Sequence, residues 1–344
     1  MLTPSTENME PKNRRLNRLH RRAPLLAGTL TSLESLHEQL TLSKPTLQQR
    51  EAAEAYPLLV PQAFLERIER GCPHDPLLLQ VLPQKEELDT VQGFGSDPVG
   101  EVAATRSPGI LRKFHGRALI VTTPRCGVHC RFCFRRHLLP RWSDDQVPRW
   151  DQWAEEIGQD RSISEVILSG GDPLTRSDEE LARGLHLLGG VPHVRRVRIH
   201  SRLPVVLPSR VGEGLLSALL AARCTVFMVL HVNHSREIDA TVAKGFRRLR
   251  EAGIPLLAQS VLLRGVNDSA EAMASLCETL ADHGVIPYYL HQLDRVAGAA
   301  HFEVPPAQGR EIIRRLRNIL PGYAVPRYVR ESAGSPYKAP LAGD

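Results

Sequence analysis

Three of the six cysteines in this 344-residue chain fall within eight positions, at Cys126, Cys130 and Cys133 in TTPRCGVHCRFCFRRH. Such spacing lets one short loop wrap three thiolates around a small inorganic centre, and soft thiolates suit an iron–sulfur cluster or zinc. A structural zinc closes its tetrahedron with a fourth ligand, which His129 or His137 could nominally supply, although such modules favour paired ligands from two separated knuckles. A four-iron cluster on three cysteines instead leaves one iron open to a small molecule. Chance is a poor account of the trio in a chain this sparing of cysteine. Cys72, Cys224 and Cys277 stand apart and read as buried or incidental thiols.

The elements that must position this loop are legible from periodicity. Short apolar runs rich in β-branched residues, RALIVTT, SEVILSGG, RRVRIHS, CTVFMVLHV, PLLAQSVLL and VIPYYLHQ, alternate with helix-length amphipathic stretches such as SDEELARGLHLL and SAEAMASLCETLADHG. Six βα units in series predict an α/β fold with a parallel sheet, either doubly wound or curled into a barrel. Both architectures carry function at the C-terminal ends of strands. The cysteine loop, Asp172, His231, Gln259 and Asp294 all follow or end apolar runs, so they could face one cavity. For SGGDP, residues Ser169 to Pro173, a glycine turn with Asp172 as a helix N-cap is an equally good local reading.

Upstream, residues 1–30 read as a basic flexible arm and 31–105 as a helical region with a Pro- and Gly-rich connector. Residues 106–300 carry the βα units and 301–344 a C-terminal segment. A hydrophobic fraction of 42% is enough for a real core and excludes disorder as the main state. The net charge of +6 suggests anionic partners only weakly. A nucleic-acid module would need a second ligand knuckle and interleaved aromatics, which are only 5% of the chain, so no direct nucleic-acid partner is expected. No run of about eighteen apolar residues exists, which argues against a membrane span, and the N-terminus lacks the apolar core of a secretory signal. Glu7, Glu10 and Pro11 interrupt the arginine-rich start, unlike a transit peptide, so a cytoplasmic protein is expected. The pattern sets no oligomeric state.

CGVHCRFC, with Phe132 just before the last cysteine at the end of the first strand, resembles the signature of the radical S-adenosylmethionine (SAM) enzymes. Beyond it, KFHGRALIVTTPRC, CRFCFRRH, HVNHSREI, AQSVLLRGVND, PYYLHQLDRVAGAAHF and SPYKAP resemble the lysine 2,3-aminomutase family, and together they cover most of residues 70 to 344. The resemblance implies a partial (βα)6 barrel of the radical SAM type with an N-terminal helical region. It implies a [4Fe-4S] cluster on the three cysteines and S-adenosylmethionine on the open iron, near Ser169, Gly170, Gly171, Asp172 and His231. It also implies pyridoxal 5′-phosphate in a Schiff base with Lys338, with Lys113 and Arg117 at the family's phosphate-binding positions and Gln259 beside the cofactor. The family has arginine at both basic positions, so Lys113 loses the bidentate option.

The implied activity is that of an isomerase, rearranging L-lysine to β-lysine. Arg135 stands at the family position for the α-carboxylate, where a guanidinium fork fits better than an ammonium. Asp294 and Glu331 stand at those for the ε-ammonium, Glu331 being one methylene longer than the family's aspartate. Arg125, Arg131 and Arg136 remain without a role. CFRRH, KFHGR and an end just after the lysine resemble the branch that makes (R)-β-lysine, which a separate ligase attaches to elongation factor P; catabolic rearrangement of free lysine is the alternative.

Overall fold

The computed structural model describes residues 28–141 and 149–342, so nearly all of the basic arm lies outside the described residues. Ten strands form one sheet in sequence order: β1 Thr105–Ser107, β2 Ile110–Leu111, β3 Arg117–Val121, β4 Glu165–Ser169, β5 Arg196–Ser201, β6 Thr225–His231, β7 Leu256–Leu262, β8 Ile286–Gln292, β9 Arg327–Arg330 and β10 Ala339–Pro340. From β3 to β9 every neighbour is parallel, while β1–β2–β3 and β9–β10 are antiparallel edges. The six predicted strands are β3 to β8. The pattern missed β9, whose four residues RYVR carry no long apolar run.

Of the longer helices, α1 (Leu33–Gln39) and α2 (Leu47–Ala55) precede the sheet, and the N-terminal region is otherwise made of single turns. The rest connect parallel strands: α3 Trp150–Gln159, α4 Asp178–Gly189, α5 Glu213–Leu220, α6 Ala240–Glu251, α7 Ala270–Asp282 and α8 Pro306–Ile319. Their local logic is visible in α4. A capping box of Ser177 and Glu180 starts it, and Leu181, Gly184, Leu185 and Leu188 make the buried stripe.

Strictly sequential strand order has no reversal point, which rules out a doubly wound sheet. The sheet instead curls: Lys113, just before β3, is ion-paired with Glu331, just after β9 and 218 residues away. Along the strands, residues alternate between an outer face packed on the helices and an inner face. In β5, Val197, Ile199 and Ser201 are buried while Arg196, Arg198 and His200 are half-buried, and β7 alternates in the same way. The inner face is therefore partly polar and lines a hollow, unlike the filled interior of a closed eight-stranded barrel.

Two of the arginines left without a role, Arg131 and Arg136, fasten the cysteine loop to the N-terminal layer. Glu87 accepts from Arg131 (Nε 2.8 Å, Nη2 2.6 Å) and from Arg136 Nη2 at 2.7 Å, and Arg131 Nη1 also donates to the Tyr56 carbonyl at 2.8 Å. Both guanidinium groups lie over the Tyr56 ring, 4.9 and 4.4 Å from its centroid. Burial alone would raise the Glu87 pKa, but the two arginines outweigh it and hold it below the ordinary carboxylate value. The stability this supplies is full above the unfolded-state pKa of Glu and is lost as pH falls through the depressed value. Glu87→Ala leaves two buried guanidinium groups uncompensated, an expected loss of about 3–5 kcal/mol in urea unfolding. A loss under about 1 kcal/mol would contradict this account.

Candidate active site

One cavity of about 910 Å³ opens inside the curl, and every site residue named from the sequence lines it: the three cysteines, Ser169 to Asp172, His231, Gln259, Asp294, Glu331, Lys338, Lys113, Arg117 and Arg135. The cysteine loop follows β3, and the Ser169–Asp172 segment follows β4 and docks on it. Gly171 N donates to Thr123 O at 2.8 Å and Asp172 N to Arg125 O at 2.7 Å. Close approach explains the two glycines. Gly170 has φ +125°, and a Cβ there would sit 2.6 Å from the Thr123 carbonyl oxygen; one on Gly171 would collide with the Arg125 carbonyl.

Asp172 is held by the backbone around it. Its carboxylate accepts from Leu174 N (3.0 Å), Ser201 Oγ (2.7 Å), Arg202 N (2.8 Å) and Leu203 N (3.1 Å). The side chain is thus the N-cap of a following turn and a clamp on the β5 end.

The donor set fits a cationic cluster. The thiol of Cys133 is pushed up to about 11 by burial and by Cys130, and Cys126 is raised by burial and by the other two sulfurs. Three half-buried thiolates gathered in one loop need positive charge among them, which cluster irons supply. Arg202 contributes from outside, with Nη1 2.7 Å from Cys130 Sγ and Nη2 3.1 Å from Glu237. Sequence reading missed Arg202, which follows β5 and whose partners come from distant segments. Among the described residues no three His, Cys, Asp or Glu side chains are grouped about a single-ion position. The histidines suited to a zinc shell are engaged elsewhere. His129 Nδ1 lies 2.7 Å from Pro57 O, and His137 Nε2 lies 2.9 Å from Ala297 O.

His231 and Gln259 are register partners across β6 and β7, and Tyr289 follows on β8. His231 Nε2 is buried with no hydrogen-bond partner among the described residues, as expected of a group awaiting a ligand. Burial, then Arg202, pulls its pKa down to about 3, so the imidazole is neutral.

At the other end, Glu331 is held by both Lys113 and Lys338. Long-range folding pairs Lys113 with Glu331, a contact the sequence did not reveal. Burial works to raise the Glu331 pKa, but Lys338 and Lys113 outweigh it and hold it at about 2. Asp294 goes the other way: burial, reinforced by Glu331, pushes it up to about 7. Arg135 is buried in a bidentate pair with Glu101. Burial opposes its charge, yet Glu101 outweighs that and raises its pKa. His200 and His291, also missed, line the cavity near Lys338, and burial drives both pKa values well down. The alternation of RRVRIHS was the available signal for His200, since it sets that residue on the inner face with Arg198.

Residues 120–277 match the Radical SAM superfamily. The chain is 42% identical over 318 residues to the L-lysine 2,3-aminomutase of Escherichia coli (strain K12), covering 92% of this chain and 93% of that protein. The chain belongs to the lysine 2,3-aminomutase family. Another member, the L-lysine 2,3-aminomutase of Clostridium subterminale, is 38% identical over 280 residues, 81% of this chain and 67% of that one. Among solved structures, Streptococcus suis SuiB bound to S-adenosylmethionine matches with a TM-score of 0.47 and 15% identity over 67% of this chain and 54% of that one. As a family member the protein is an isomerase of the radical SAM type, with a [4Fe-4S] cluster and S-adenosylmethionine as its radical source. No helix among the described residues is long and apolar enough to cross a membrane.

Replacing Cys126, Cys130 or Cys133 singly with alanine is expected to leave the far-UV circular dichroism of this family member unchanged while removing iron and acid-labile sulfide. Full iron content in any single variant would strike that cysteine from the ligand set.

Proposed function

We propose that the protein rearranges L-α-lysine to β-lysine, in the R form, and that the product goes to a ligase that modifies elongation factor P. When bound, the cluster with S-adenosylmethionine supplies a hydrogen-abstracting radical, and pyridoxal 5′-phosphate on Lys338 supplies electron delocalisation for the migrating nitrogen. The observation that carries this reading is that the cysteine trio, Lys338, Arg135 and Asp294 line one cavity in a chain 42% identical to an L-lysine 2,3-aminomutase.

Each residue then has a task that its surroundings support. Arg135 meets the α-carboxylate. Asp294, when ionised, meets the ε-ammonium; Glu331 adds to it as far as Lys338 releases the oxygen it now holds. Lys113 is committed to Glu331, so of the two expected phosphate-binding residues Arg117, exposed and without an ion pair among the described residues, is the one left for the phosphate. His231, with its unpartnered Nε2, faces S-adenosylmethionine. Phe132, Ile167, Val261 and Leu293 line the same cavity and exclude water from reactive intermediates. The elongation factor P assignment is supported by the CFRRH and KFHGR segments.

The test is anaerobic incubation of the reconstituted protein with L-lysine, S-adenosylmethionine, pyridoxal 5′-phosphate and a reductant, followed by chiral product analysis. The expected product is (R)-β-lysine, absent when pyridoxal 5′-phosphate is omitted; no rearranged amino acid at all sinks the reading. Loss of β-lysine from elongation factor P on gene deletion supports its destination, and unchanged modification excludes it.

A pH dependence follows from Asp294. With its carboxyl raised to about 7, the free enzyme carries it increasingly protonated, hence neutral, below that pH. L-lysine affinity should therefore fall about tenfold per unit as pH drops below about 7, and Asp294→Asn should abolish that slope at the cost of weaker binding. A slope that survives in the variant would reassign the titrating group.

A further inference from the structure

The guanidinium assigned to the substrate carboxylate is already heavily bonded. Arg135 Nε and Nη2 donate to the two oxygens of Glu101, each at 2.7 Å, and Nη1 donates to Ser169 Oγ at 2.8 Å and Gly170 O at 3.1 Å. A guanidinium has five N–H groups, so one Nη2–H is left without a partner among the described residues. Both side chains of the pair are 7% exposed, and both line the cavity.

Glu101 is also firmly placed. It opens a single helical turn, Glu101–Ala104, that Asp97 caps by accepting from Glu101 N at 2.8 Å and Val102 N at 2.9 Å. Gly100, just before it, has φ +67°, and a Cβ there would fall 2.9 Å from the Ala333 Cβ. The turn therefore lies against the segment that runs from Glu331 to Lys338.

An incoming carboxylate has two options, to evict Glu101 or to use what Glu101 leaves. Stranding one partner of a buried ion pair costs on the order of 10³-fold in an equilibrium constant. Substrates held in the roughly micromolar to millimolar range would surrender most or all of their affinity to do so. Glu101 therefore stays, and the carboxylate meets the remaining edge of the guanidinium.

We propose that Glu101 is a positioning residue, which turns Arg135 so that its last Nη2–H faces the substrate α-carboxylate while Nη1 grips Ser169 and Gly170. Through Arg135 it ties the placement of the amino acid to that of the segment beside S-adenosylmethionine, so that the reacting carbon and the radical source stay aligned. The inference rests on the carboxylate-binding role of Arg135. Its sign is diagnostic: by charge alone, removing Glu101 would make Arg135 a stronger anion site, whereas a positioning role makes it a weaker one.

The experiment is equilibrium binding of L-lysine to the reconstituted holoenzyme kept without reductant, so that affinity is read without turnover, in Glu101→Gln, Glu101→Asp and Arg135→Lys. Glu101→Gln is expected to bind L-lysine at least tenfold more weakly with its iron content unchanged, and in turnover to raise KM more than it lowers kcat; Glu101→Asp should recover part of the loss. Unchanged or tighter binding in Glu101→Gln, with binding lost in Arg135→Lys, overturns the positioning role alone. Unchanged binding in both overturns the reading of Arg135 beneath it. If Glu101→Gln does not fold, as judged by thermal melting, Glu101→Asp decides, and affinity equal to the unaltered protein overturns the proposal.

Discussion

Buried guanidinium–carboxylate pairs hold the cysteine loop, and the site depends on them. Arg131 and Arg136 end on Glu87, Arg135 on Glu101, and Arg202, which touches Cys130, on Glu237. Such pairs add little net stability over apolar packing, but losing one partner is costly. Their effect is to allow one arrangement of the loop and penalise the others. Glu87 and Glu101 lie in the N-terminal region, which thereby forms one wall of the site.

The same low-dielectric interior separates two neighbouring carboxyls. Glu331, which both lysines hydrogen-bond, is held at about 2, whereas Asp294, for which the same lysines only partly offset burial, rises to about 7. Burial acts on both; the partners decide the outcome. One stays ionised and structural, while the other can respond to the arrival of an ammonium. The histidines around them are kept neutral by burial and by the arginines and lysines nearby, so they add polar atoms to the cavity without adding charge.

The curl of the sheet brings these groups together. Parallel strands joined by helices place each strand's C-terminal end on the same rim, and the antiparallel edges β1–β2 and β9–β10 carry Lys113 and Lys338 to opposite ends of the array. The ion pair from Lys113 to Glu331 joins the two ends, and Lys338 takes the other oxygen of that carboxylate. Lys338, six residues before the last residue of the sequence, becomes part of the cavity wall because β9 and β10 return it there.

Much of this was legible in the sequence because it is local. Hydrophobic periodicity marks six strand–helix units, and the cysteine spacing marks an inorganic centre. The strand ends carry the polar residues that line the cavity. The resemblance placed Lys338, Arg135 and Asp294 as well. What only the tertiary structure decided was pairing: that Lys113 meets Glu331 across 218 residues, that Arg135 meets Glu101 across 34, and that Asp172 spends its carboxylate on the backbone of β5's end. Periodicity specifies which face a side chain occupies, but not which distant charge lies opposite it. That depends on the curvature of the sheet, a property of all the strands together and of no single stretch of sequence.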